Sequence, residues 1–169
     1  MKLLKLLTYL FIFTLMPLIF TGCSTDPSSR TKQVIPDDFN FSLTYGTYGK
    51  QKIDTFNDVV VKDLVQDGVI EAEIALTESE MNQIYNEMIS INVMGDLDLE
   101  DSKECLTEPP SYTAWNIQMN GQTQSINYSS FCEYPDDILE LLQLKELIHN
   151  IILDKNEYKE LPEANGSYE

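Results

Sequence analysis

Residue types able to do chemistry are sparse along this chain, and few fall at spacings that chemistry uses. The densest group is Asp96, Asp98, Glu100 and Asp101, whose carboxylate oxygens could face a hard cation. A calcium loop of the EF-hand type needs glycine at its sixth position and glutamate at its twelfth. Counted from Asp96 these are Asp101 and Thr107, which favours a solvated acidic loop over a cation site. His149 is the only histidine. A catalytic imidazole needs a nucleophile and an orienting group, and the chain contains no G-x-S-x-G, no H-E-x-x-H and no glycine-rich phosphate loop. Asp54 and Asp63 flank a β-rich stretch. As the acid and base of a hydrolase their carboxyls would have to lie within roughly 5–10 Å of each other; as neighbours of turns they are expected to bond local backbone instead. Tyr112, Trp115 and Tyr128, with Phe131, would form a binding face if one side of a sheet were left uncovered, although aromatic side chains default to the core. No cofactor is expected, and no metal is assigned.

The elements that must position these residues are legible from periodicity. Phe39, Phe41, Leu43 and Tyr45 alternate with polar residues, the pattern of a half-buried strand. Thr55–Lys62 reads as a second strand through Val59, Val60 and Val61, and Asp67-Gly68 as the turn into a third over Val69–Leu76. Thr77-Glu78-Ser79-Glu80 is a capping box. It opens a helix whose buried stripe is Met81, Ile84, Tyr85, Met88 and Ile89 and which runs to about Asn92, with Gly95 ending the pattern. An irregular acidic loop to Pro109-Pro110 follows. Strands Tyr112–Met119 and Gln122–Tyr128 flank Asn120-Gly121, a dipeptide suited to a two-residue hairpin turn. Pro135-Asp136-Asp137 then opens a second helix whose wide apolar face is read as Ile138, Leu141, Leu142, Leu144, Lys145, Ile148, Ile151 and Ile152, its first-turn acids matching the helix dipole. Tyr158, Leu161 and Pro162 read as a tail packed on the body. The expected fold is α+β: an antiparallel sheet of about five strands in the order β-β-β-α-β-β-α, with two amphipathic helices on one face.

The N-terminus is of a different kind. Lys2 and Lys5 precede an apolar run from Leu6 to Phe20, which ends in Thr21-Gly22-Cys23 and turns polar at once. That order of parts marks a secretory signal, and the run is short, and broken by Pro17, for a membrane span of about 20 residues. Thr21-Gly22-Cys23 resembles the lipobox of bacterial lipoproteins, with Phe20 where that family usually carries leucine. The resemblance implies a signal peptide over 1–22, a diacylglyceryl group on Cys23, a polar tether over 23–37, and one domain over 38–169 held at the outer face of the cell membrane. Cys105 and Cys132 then remain as a pair able to form a disulfide in an exported domain, with two free thiols as the alternative. The formal charge of −17 becomes −19 once Lys2 and Lys5 leave with the signal. Such a balance opposes nucleic acid and anionic lipid surfaces, because it repels phosphate.

Further along, Tyr45-Gly46, Asp54-Thr55-Phe56, Lys62-Asp63-Leu64 and Tyr158-x-x-Leu161-Pro162 are similar in type and order to segments of a group of surface lipoproteins of Bacillus-type, Gram-positive bacteria. The resemblance implies a surface lipoprotein and lends no activity. The expected function is therefore a non-enzymatic module that binds a protein or wall component. A carboxylate-dependent hydrolase of wall or lipid, and an acidic inhibitor or immunity-type lipoprotein, are the alternatives.

Overall fold

The computed structural model describes residues 34–99, 107–130 and 132–169. Four strands form an antiparallel meander: β1 (Asn40–Tyr45), β2 (Gln51–Asp54), β3 (Val59–Asp63) and β4 (Val69–Glu73). After helix α1 (Glu78–Ser90) the chain returns to the other side of β1 with β5 (Tyr112–Met119) and β6 (Gln122–Ser129). The result is one six-stranded sheet in the order β4-β3-β2-β1-β5-β6. Helix α2 (Asp136–Asp154) and the short α3 (Asn156–Lys159) complete an α+β fold.

Strand alternation decides what is buried. Phe41, Leu43 and Tyr45 point to one face, and the register sets Leu43 between Ile53 on β2 and Trp115 on β5. Val60, Ile117, Met119, Ile126 and Tyr128 continue that face. Against it pack Ile84, Tyr85 and Met88 of α1 and Ile138, Leu141, Leu144, Ile148 and Ile152 of α2, in one continuous core. Packing reaches back to Ile35, within the segment expected to be tether. Among the described residues no helix is long and apolar enough to cross a membrane.

Two expectations are corrected. The stretch Thr55–Lys62 is strand only from Val59 onward, its first half being turn, and the unexpected strand β2 (Gln51–Asp54) lies just before it, so the sheet has six strands where about five were expected. The reversal is built by the Asp54 carboxylate, which accepts the Phe56 N–H at 3.0 Å and the Asn57 amide at 3.1 Å, with Asp58 in the left-handed region at φ 54°. Asp and Asn side chains stabilise such turns, and here that local bond outweighs β propensity. The second correction is a third helix, α3, whose single turn seats the buried Tyr158.

Where local signals were strong they hold. Thr77 caps α1, accepting from the Glu80 N–H while the Glu80 carboxylate accepts the Thr77 N–H. Lys155, just past α2, meets the same carboxylate at 2.6 Å, so one glutamate both caps α1 and ties it to α2. Helix α1 stops before Gly95: Asn92 turns left-handed at φ 52°, its N–H donating to the Ile89 carbonyl and that of Val93 to Met88. These are the paired bonds of a Schellman stop, completed by burial of Val93. Asn120 and Gly121 both have positive φ, as a type I′ hairpin requires. The Asp38 carboxylate accepts both of their N–H groups, at 2.9 and 2.6 Å, and the Gly121 bond foremost holds its pKa below the ordinary carboxylate value.

Candidate functional site

The aromatic residues expected to share a binding face are divided by the sheet. Trp115 and Tyr128 point into the core, whereas Tyr112 lies on the opposite side and is half exposed. Period-2 geometry allows nothing else, since Tyr112 and Trp115 differ by an odd number of positions on one strand. Burial raises the Tyr128 hydroxyl pKa, and the Trp115 indole and Thr113 hydroxyl oppose that rise only in part. Thr113, Trp115 and Tyr128 are core structure.

What the helices leave uncovered is the other face. Its composition changes across the sheet. On the β2–β3–β4 half it carries Lys52, Asp54, Asp63, Glu71 and Glu73, with Lys52 and Asp54 paired at 2.7 Å. On the β1–β5–β6 half the outward positions are Asn40, Ser42 and Thr44, then Ala114, Asn116 and Gln118, then Thr123, Ser125, Asn127 and Ser129. None of these is charged, in a chain of formal charge −17. The patch spans about 10 Å across three strands and about 25 Å along them. Amides and hydroxyls are donors and acceptors together, so it can bond a polar partner without selecting a sign of charge. Every second residue of β5 and β6 shows this pattern in the sequence.

Asp54 and Asp63 lie on the same open face but at opposite ends of β3. Asp54 pairs with Val59, and Asp63 is four residues further on, roughly 13 Å along the strand. That separation exceeds the range of paired-carboxylate catalysis. Each carboxylate is also committed. Burial works to raise Asp54, but its bonds to Lys52, Asn57 and the Phe56 N–H together hold it below the ordinary value. Asp63 accepts the Val65 N–H at 2.9 Å and the Tyr168 hydroxyl at 2.5 Å. The first bond steadies Val65, a β-branched residue held at φ 64°, where such side chains are strained. Beside them Lys50 stands over the rings of Tyr48 and Tyr168.

The segments that carried the likeness to surface lipoproteins also have structural work. Thr55 accepts the Phe41 N–H at 2.8 Å and donates to the Phe41 carbonyl, holding the β1–β2 end. Lys62 stands over the Tyr158 ring at 4.9 Å.

His149 is bonded through Nδ1 to the Tyr45 hydroxyl at 2.8 Å, and the two rings meet edge to face. Burial raises the phenol's pKa and, as the leading cause, lowers that of the imidazole. Both groups stay neutral at pH 7, bridging β1 and α2. Because the folded pKa of His149 lies below its ordinary 6.5, the unfolded chain binds the extra proton as pH falls. The contribution is complete above about 6.5 and is lost below it. Thermal melts of the wild-type chain should therefore decline from pH 7 to 5.5, a window above the ordinary carboxylate range, and His149→Gln should flatten that slope. An equal slope in the variant would refute the assignment.

Asp96 and Asp98 sit at the foot of the acidic loop, and the Asp98 N–H donates to the Asp137 carboxylate at 2.6 Å. Glu100 and Asp101 lie outside the described residues, as do Cys23, Cys105 and Phe131. Among the described residues no group of three or more His, Cys, Asp or Glu could hold a metal ion. Cys132 is disulfide-bonded. No protein-family model matches this chain, and no curated protein shows a significant match to it.

Proposed function

We propose that this chain is an exported lipoprotein, held at the outer face of the membrane by a diacylglyceryl group on Cys23, whose domain is a non-enzymatic binding module. Its binding surface is the open β1–β5–β6 face, and its partner is a neutral wall component rich in hydroxyl and amide groups. The single observation that carries the reading is the lack of charge on that half-sheet in so acidic a molecule. An acidic surface elsewhere repels anionic neighbours, which leaves the uncharged patch as the area of closest approach. The wide separation of Asp54 and Asp63 favours binding over hydrolysis. Cys105 and Cys132 form the disulfide in this reading, closing a loop of about 27 residues worth roughly 3–4 kcal/mol in the chain-entropy model.

Co-sedimentation of the full chain with purified cell walls tests it. Asn116 and Ser125 are opposed in register and exposed, so N116K/S125K places two cations at the centre of the patch without touching the core. Wild-type protein should sediment and the variant should bind at least about tenfold more weakly, because a desolvated, unmatched charge costs more than the roughly 1–3 kcal/mol of a neutral polar group. Equal binding by both, or none by the wild type, would defeat the proposal.

A further inference from the structure

At the end of the sheet where β5 begins and β6 finishes, a cleft opens between the strands and α2, with about 290 Å³ of space counting the part open to solvent. Its lining is unlike the rest of the molecule. Among the described residues it is lined by Ser111, Thr113, Ser130 and Tyr134, which carry hydroxyls, and by Tyr128, whose own oxygen is buried, and Lys145 of α2 supplies the only charge. No carboxylate of the described residues lines it, although acidic residues outnumber basic ones 28 to 11 in the chain.

We propose that this cleft is a site for a small oxyanion, the carboxylate or phosphate group of a ligand, bound to the Lys145 ammonium and the surrounding hydroxyls. An ammonium has three hydrogen-bond donors and no acceptor, and bonds from a charged donor to an anionic oxygen are about twice as strong as neutral ones. Ser130 is set to donate as well: its Oγ accepts the Thr107 hydroxyl proton at 3.3 Å, leaving its own hydrogen for another acceptor. The half-buried position of Lys145 reduces water's competition for the charge. The molecule's net negative charge does not forbid the site, because fields from surface carboxylates are screened beyond about 8 Å at physiological ionic strength. The proposal rests on the cleft alone and is independent of what the open face binds.

The test is thermal unfolding of the full chain in detergent, titrated with inorganic phosphate or with acetate against chloride of equal ionic strength. A ligand at about ten times its Kd should raise the melting temperature by about 4–6 °C. Lys145→Met should abolish the rise and Lys145→Arg should keep it, while any general salting effect of phosphate persists in every variant and subtracts out. Stabilisation by phosphate alone assigns a phosphate-bearing ligand, and by acetate alone, or by both, a site that accepts carboxylate. Lack of Lys145-dependent stabilisation by either anion overturns the site. Backbone amide shifts of Ser111, Ser129 and Ser130 on adding phosphate give a second readout independent of stability; they should move in the wild type and stay fixed in Lys145→Met.

Discussion

Cys23→Ser should abolish incorporation of labelled fatty acid into the protein, and the wild-type mature chain should begin at Cys23 with the mass of its acyl groups. The effect is expected to be all or none because serine offers no thiol for the thioether. Each buried methylene is worth about 0.8 kcal/mol, yet one acyl chain gives only marginal attachment with K of about 10⁴ M⁻¹, so stable anchoring needs two chains. Mass spectrometry of the mature N-terminus reads both the cleavage point and the modification. Label retained by the serine variant, or a mature terminus elsewhere, would remove the anchor and with it the proposed surface location.

Trp115→Ala should destabilise the domain by about 3–5 kcal/mol, the usual loss when a large aromatic leaves a cavity in a packed core. The residue is only 2% exposed, sits on β5 opposite Leu43 of β1, and belongs to the core shared with α1 and α2. For a domain of this size the loss corresponds to a fall of about 10–20 °C in melting temperature. Asn116→Ala, one residue further along the same strand, points to the open face and should change stability by no more than about 0.5 kcal/mol. Calorimetry or circular dichroism on the pair checks the claim. Similar losses at both positions would mean that β5 is buried on both sides, and that the open binding face does not exist.

Strong local chemistry was readable in advance. The Thr77 capping box, the Asn120-Gly121 turn, the apolar stripes of both long helices and the alternation of β1, β5 and β6 each depend on neighbours within a few positions, and all recur in the structure. Strand β2 was less visible because Gln51–Asp54 is short and polar, and the turn after it was masked by β-formers in Thr55–Lys62, while the Asp54 carboxylate that builds that turn lies just outside that stretch. His149 looked like an isolated imidazole because its partner, Tyr45, is 104 residues away. The cleft was illegible for the same reason: Ser111, Ser130 and Lys145 come from three separate segments, and no local period joins them.

By itself the sequence determined the α+β class, most element boundaries and which side of each strand is apolar, since periodicity and capping act between residues close in the chain. Only the tertiary structure decided that an uncharged half-sheet is left uncovered and that Lys145 stands among hydroxyls. Those outcomes depend on strand order and helix placement, in which burial of one shared core brings together residues that no short-range pattern relates.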